Sequence, residues 1–329
     1  MRCLLIAPNF YGFDTEIAAE IRDIVGSCVL VDEKPAYFSS AIQAVVQKFP
    51  VALYRRVFER YVARVVNIKG DFDIVFLIRG EHWTENDLIL LRSRFSNARF
   101  IMYQWDASHN LPLLKEQLKY FDVAYTFSPC DAEKFGIRFL PLFYKNRWNV
   151  DAAMPREAQF KAAFVGTDHS DRLEVIERFL ALNGLTRSNV FIHLFRTRKS
   201  YYYNKYIKRA RGVASDSYCF EGRPLQEAEA IAIFEKSQAI LDVNPGSQIG
   251  LSARTFEALA LNKKLITTNI SIENYDFYDR SNIFILDRRS PIVPPDFFDR
   301  PYNAVSNEIK GRYSSSSWVK GIICDSNCC

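Results

Sequence analysis

The chain has 329 residues, room for about two domains at roughly 150 residues each. Hydrophobic residues are 48% and charged residues 25%, with only 13 Gly and 13 Pro, which excludes a disordered, collagen-like or linker-dominated protein. The net charge of +5 is a mild excess that permits anionic substrates or an anionic membrane surface without demanding nucleic acid.

The N-terminal half alternates strand-like and helix-like segments. Cys3–Ala7 is a continuous apolar run of buried-strand length. Asp14–Val25 carries Ile17, Ala18, Ile21 and Ile24 at helical spacing. Val29–Val31 reads as a strand and Arg55–Val66 as a helix. Then come Ile74–Ile78 (strand), Glu85–Phe95 (helix), Phe100–Tyr103 (strand) and Leu113–Tyr120 (helix). Val123–Phe127 (strand), Asp131–Phe135 (helix) and Arg138–Leu140 (strand) complete the series. Short apolar strands between amphipathic helices predict a parallel sheet covered on both faces.

Asn146–Arg156 is polar, holds Pro155 and reads as a linker. The pattern then restarts: Ala162–Val165 (strand), Arg172–Leu182 (helix), Val190–Phe195 (strand), Gln226–Lys236 (helix), Ala239–Val243 (strand), Ala253–Leu261 (helix), Lys264–Thr267 (strand) and Ile283–Ile285 (strand). The expected class is α/β, two Rossmann-like doubly wound domains facing a cleft. Their expected bounds are 1–148 and 149–305. Residues 306–329 follow as a helix over Asn307–Ile323, packing back on the first domain, with a frayed tail. Ligands of open parallel sheets bind beyond the strands' carboxyl ends, so residues just after each strand are the informative ones.

The seven cysteines are odd in number and lack zinc-ligand spacing, and the four histidines form no i, i+4 pair. A reducing cytosol and no bound metal are expected. Met1–Ala7 is too short for a signal-peptide core, and no 18-residue apolar run suggests a membrane span. Asp71-Phe72-Asp73 precedes a strand, at the wrong end for a ligand. GxGxxG, Walker and Gly-x-Ser-x-Gly motifs are absent, against a dehydrogenase, an NTPase or an α/β-hydrolase.

Two corners in the second half suit an anion. Phe164–Arg172 runs from a strand into a helix: Gly166 lets backbone approach closely, Thr167 or Ser170 can cap the helix, and Arg172 adds a forked donor suited to a diphosphate. It reads equally as an ordinary capped strand–turn–helix corner. Asp242–Ala260 runs from a strand through Pro245, Gly246 and Gly250 into a helix starting near Ser252. There Arg254 can meet a phosphate, and Glu257, one turn on, can accept from a ribose diol. The alternative is a surface Arg–Glu pair at i, i+3, contributing about 0–1 kcal/mol.

The stretch Ser252–Asn269 (SARTFEALALNKKLITTN) resembles the donor-sugar segment of group 1 glycosyltransferases with the GT-B fold. Phe164–Arg172 (FVGTDHSDR), Phe139–Tyr144 (FLPLFY), Tyr103–Asp106 (YQWD), Leu241–Pro245 (LDVNP) and Tyr275–Tyr278 (YDFY) extend the likeness over nearly the whole chain. More narrowly, the chain resembles bacterial glycosyltransferases of lipopolysaccharide and capsular polysaccharide synthesis. The resemblance implies a nucleotide-sugar donor on the C-terminal domain and a saccharide or lipid-linked acceptor on the N-terminal one. It implies that Glu257 binds ribose, that Arg254 and Gly250 lie near the diphosphate or sugar, and that Gly166, Thr167 and Arg172 lie on the phosphate side. Many retaining members carry a second Glu eight positions earlier. Here that position is Ile249 and the nearest polar residue is Gln248, so the resemblance leaves the anomeric outcome open.

Asp106 and Glu81 each follow an N-domain strand and are rival bases for the acceptor hydroxyl proton. Asp106 reads otherwise as a helix cap or the partner of a lysine. Phe10, Tyr11 and Gly12, just after the first strand, form an expected acceptor-side loop whose aromatics can stack on sugar, or else a packed core edge. Arg196–Arg211 (RTRKSYYYNKYIKRAR) is basic and tyrosine-rich, suited to an anionic membrane surface or to a solvated face. A cytoplasmic enzyme of glycosyl transfer, peripheral on the inner face of the plasma membrane, is therefore expected. It would use no metal cofactor, the diphosphate being held by helix N-termini and arginine. The rivals are a non-catalytic two-domain small-ligand binding protein and a nucleotide-sugar epimerase of related fold.

Overall fold

The computed structural model describes residues 1–35, 51–150, 158–196, 219–221 and 224–324. Residues 197–211 of the basic segment, 151–156 of the expected linker and 325–329 of the tail lie outside the described residues.

The apolar runs of the first half become β1 (Arg2–Ala7), β2 (Ser27–Asp32), β3 (Ile74–Ile78), β4 (Arg99–Gln104), β5 (Val123–Thr126) and β6 (Arg138–Phe139). They form one sheet in the order β2-β1-β3-β4-β5-β6, with every pairing parallel. Between them run α1 (Phe13–Val25), α2 (Val51–Val66), α3 (Glu85–Arg94), α4 (Leu114–Gln117) and α5 (Pro129–Phe135). All of β3 is buried, so its side chains need no polar alternation. One core joins Leu4, Ile6, Val75, Leu77, Phe100 and Met102 of the sheet to Phe58, Val62, Leu88 and Leu91 of α2 and α3.

The C-terminal α11 (Ser315–Ile323) packs against α1 and belongs to this unit. Its Trp318, 2% exposed, lies edge-on to Tyr103 at 4.6 Å and tilted against Phe76 at 6.2 Å between ring centres. Ser315 Oγ donates to Glu16 Oε1 of α1 at 3.0 Å. The helix expected over Asn307–Ile323 is two helices. α10 (Asn307–Arg312) ends where Ser314 N bonds back to Gly311 O at 3.2 Å.

The second unit runs from Phe143 to Ser314. Its first boundary thus falls ahead of the expected 148, because the segment after Leu142 bonds within this unit. Tyr144 N donates to Tyr313 O at 2.9 Å and Tyr144 Oη to Lys310 O at 3.1 Å. The strands are β7 (Phe160–Thr167), β8 (Val190–Arg196), β9 (Cys219–Glu221), β10 (Ser237–Asp242), β11 (Lys264–Thr267) and β12 (Ile283–Ile285). Their order is β12-β11-β10-β7-β8-β9, again all parallel. The helices are α6 (Arg172–Leu182), α7 (Glu227–Glu235), α8 (Ala253–Ala260), α9 (Pro295–Asp299) and α10. β9 and α9 were not expected: three residues carry no period, and α9 is one short turn opened by a proline at its start.

In each sheet the first strand is flanked by strands that continue in opposite directions. β1 lies between β2 and β3, and β7 between β8 and β10. Both units are therefore doubly wound, each with one switch point, the place beyond the strands' carboxyl ends where open parallel sheets as a class bind their ligands.

Candidate functional site

The carboxyl ends of β7 and β10 meet at the switch point of the second sheet, and the expected donor-side residues gather there. Arg172 opens α6 and turns its guanidinium back over both strands. Nε donates to Val243 O at 2.8 Å and Nη1 to Thr167 O at 2.5 Å. Burial holds this guanidinium below the usual arginine range, against the pull of Asp242. A Cβ on Gly166 would lie 3.0 Å from the Phe164 ring and 3.5 Å from Arg172 Nη1, so the glycine leaves room for that side chain.

The loop after β10 is fixed by a buried carboxylate. Asp242 Oδ2 accepts from Ser252 Oγ at 2.8 Å and from Thr255 Oγ1 at 3.4 Å, which pins the start of α8. The side-chain amide of Asn244, oriented toward Asp242, donates to its two oxygens at 2.9 and 3.0 Å. Gly250 O accepts from Gln248 Nε2 at 2.9 Å and from Asn269 Nδ2 at 3.2 Å, so the glycine loop is held from two sides.

On α8, Arg254 pairs through Nη1 with Glu257 Oε2 and donates from Nη2 to Val165 O of β7 at 3.1 Å. Its guanidinium faces the rings of Phe234 and Trp148 at 4.6 and 5.8 Å. The Arg254 side chain is 20% exposed and that of Glu257 8%. The pair is thus partly buried rather than a solvated surface contact. Burial pushes the Glu257 carboxyl up, Arg254 and Lys145 pull it down, and Glu227 and Asp242 add to the rise.

Sequence reasoning gave Asp242 no role within its segment, and it missed Lys145, Trp148, Glu227 and Arg288. Arg288 follows β12. Its Nη1 donates to Asn244 O at 2.7 Å and Thr268 Oγ1 at 2.9 Å, and its other nitrogens pair with Asp171 before α6. The latter four come from distant stretches, and no local spacing marks them.

In the first unit, Asp106 and Glu81 meet at one arginine. Arg79 Nη2 lies 2.6 Å from Glu81 Oε2, and Arg79 Nε lies 3.7 Å from Asp106 Oδ2. Asp106 Oδ1 also accepts from Ala107 N at 3.0 Å and Asn110 Nδ2 at 2.9 Å. Arg79 and Gly80 are both left-handed, at φ 70° and 66°, a conformation costly for arginine. Three buried side chains hold the turn. Glu33 accepts from Gly80 N at 3.0 Å and Arg79 Nη1 at 3.3 Å. Gln104 Nε2 donates to Arg79 O at 2.8 Å, and Gln117 Nε2 to Gly80 O at 2.7 Å. Glu33, which the sequence did not reveal, is pushed by burial to a pKa of about 7, against the pull of Arg79. Phe10 and Tyr11 stand half exposed, at 52% and 50%, before α1. The Phe10 ring lies 6.1 Å from Trp105, beside Asp106. Gly12, at φ 73°, turns the chain into α1. Among the described residues no group of three His, Cys, Asp or Glu side chains is placed to hold a metal ion.

Comparison with solved structures covers the chain end to end. Anabaena Alr3699/HepE in complex with UDP and glucose aligns over 99% of both chains, with TM-score 0.64 and 10% identity. A glycosyltransferase from Rickettsia africae aligns over 97% of this chain and 96% of its own, with TM-score 0.56 and 12% identity. The fold is GT-B. A UDP-GlcNAc 2-epimerase from Methanocaldococcus jannaschii, in complex with UDP-GlcNAc and UDP, aligns over 99% of both chains at TM-score 0.55 and 9% identity. No family model and no curated protein matches the sequence. At these identities the likeness is one of architecture, and the GT-B fold alone hosts more than one chemistry.

Proposed function

We propose that the chain is a glycosyltransferase that moves a sugar from a nucleotide-sugar donor to a saccharide or lipid-linked acceptor in cell-surface polysaccharide synthesis. The observation that carries this reading is the convergence of Arg172, Arg254 and Glu257 on the β7–β10 switch point. Arg254, with the start of α8, takes the donor diphosphate. Glu257 engages Arg254 through Oε2 and offers Oε1 to the ribose hydroxyls. Arg172 fixes the two strand ends and adds its charge behind them. Solved GT-B relatives that hold UDP with glucose support a nucleotide-sugar donor.

In this reading the acceptor hydroxyl attacks the anomeric carbon, the bond to the nucleoside diphosphate breaks, and the arginines stabilise the departing charge. The acceptor belongs to the first unit, beside Phe10 and Tyr11, and Asp106 or Glu81 takes the hydroxyl proton. Among the described residues no helix is long and apolar enough to cross a membrane. Contact with the inner face of the plasma membrane is proposed as peripheral.

The test is nucleoside diphosphate release from a panel of nucleotide sugars, with and without saccharide acceptors. Release that depends on an acceptor and disappears in Arg254→Ala and Glu257→Ala supports transfer. Conversion of the donor to an isomer with no acceptor present is the epimerase outcome. Binding without either reaction is that of a small-ligand binding protein.

A further inference from the structure

A second buried cluster stands behind Arg254. Lys145, 3% exposed, places Nζ 2.6 Å from Glu227 Oε1. Trp148 Nε1 donates to the same oxygen at 2.5 Å, and Arg147 Nη1 lies 3.0 Å from Oε2. Glu227 is the first residue of α7, whose start is fixed by a capping box between Gln226 and Glu229. Phe234, two turns along the same helix, gives Arg254 one ring face, and Trp148 gives it another. One helix therefore supplies a wall of the Arg254 site and the carboxylate that anchors the other wall. Burying a lysine against a carboxylate is costly unless further bonds support the pair, and Trp148 and Arg147 add theirs to Glu227.

We propose that Glu227 is a positioning residue for the Arg254–Glu257 pair, acting through Trp148 and Lys145. The proposal rests on the donor-site reading above. Trp148, held by its indole N–H, limits where the Arg254 guanidinium can lie. Lys145 balances two carboxylates, Glu227 and Glu257. The charged groups that act on Glu257 are Arg254 on its own helix, Lys145, Glu227 from α7 and Asp242 from β10. Lys145 favours the ionised form of Glu257 and Glu227 opposes it, so the two act in opposite directions on one acceptor group.

The experiment is calorimetric titration of the full-length protein with UDP, GDP, ADP and TDP, continued with the tightest binder. Arg254→Ala is the control for the donor site and weakens binding at least tenfold. Glu227→Gln and Trp148→Leu each weaken it by about tenfold, the scale of one member lost from a coupled network. Trp148→Phe, which keeps a ring under Arg254 but loses the indole N–H bond to Glu227, recovers only part of the loss. Across pH, affinity falls on the acid side as Glu257 takes a proton. Glu227→Gln moves that fall to lower pH and Lys145→Met moves it to higher pH. A purely structural role weakens binding without opposed shifts. The proposal is overturned if Arg254→Ala binds weakly while Glu227→Gln and Trp148→Phe match the wild type in affinity and pH profile, or if both profiles move the same way. Wild-type protein that binds none of the four, or Arg254→Ala that binds normally, overturns the donor-site reading and the proposal with it. Thermal melts identify any variant that fails to fold, and the conservative Glu227→Gln and Trp148→Phe keep the outcome readable.

Discussion

Arg254 and Glu257 stand one helical turn apart on α8, and the arginine that holds Glu257 also bonds the carbonyl of Val165 on β7. That bond joins the helix to the first strand of its sheet across 89 residues of sequence. Removing the arginine therefore costs more than a surface pair would. Arg254→Ala takes away the arginine that pairs directly with Glu257 and should cost about 1–3 kcal/mol of stability. The double variant Arg254→Met/Glu257→Leu should lose less than the sum of the two single variants, because it leaves no unpaired buried charge. Urea denaturation of wild type, Arg254→Met, Glu257→Leu and the double variant measures this, with Arg254→Ala measured alongside.

Glu33 gives the protein a pH dependence with a defined sign. Its folded pKa of about 7 lies above the ordinary 4.5, so the folded state binds the extra proton. Its stabilising contribution is full below about pH 4.5 and is lost as pH rises through about 7. The size is on the order of 3 kcal/mol. Glu33→Gln cannot ionise and should flatten the pH 5–8 portion of the unfolding midpoint. An equally steep profile in the variant would assign the dependence to other groups.

Gly80 and Gly246 make a matched pair of substitutions. At Gly80 the backbone is left-handed and a new Cβ would lie 2.8 Å from Leu77 Cδ2, whereas at Gly246 nothing lies within 4 Å. Gly80→Ala should destabilise by about 1–2 kcal/mol or more and disturb Arg79. Gly246→Ala should stay within about 0.5 kcal/mol of the wild type. Thermal melts of the two variants compare them directly.

Trp318 ties the C-terminal helix to the first sheet through Phe76 and Tyr103. Trp318→Ala should cost about 3–5 kcal/mol. Hydrogen exchange should show the loss in β3 and β4, with β7 and β10 unaffected.

Most of the strand and helix pattern was legible in the sequence, because a parallel sheet buried on both faces writes itself as short apolar runs such as Ile74–Ile78. The Arg254–Glu257 helix was legible for the same reason: a Pro/Gly-containing loop followed by helical spacing is a local signal. The supports of the site were not. Glu33 meets Gly80 across 47 residues, Arg288 meets Asp171 across 117, and Trp148 meets Glu227 across 79. A buried carboxylate is defined by what folding brings around it, and no spacing within its own element announces that. Asp106 and Glu81 were each legible as residues that follow a strand. That both contact Arg79 depends on the register of β3 with β4, where Ile78 pairs with Tyr103.

The most direct measurement is a thermal-shift screen of wild type, Arg254→Ala and Glu257→Ala against nucleotide sugars. A ligand at 100 times its Kd adds about 2.7 kcal/mol to folded-state stability. At least one nucleotide sugar should raise the wild-type Tm by several degrees and leave both variants nearly unmoved. A panel that shifts none of the three proteins, or shifts all three alike, would contradict it.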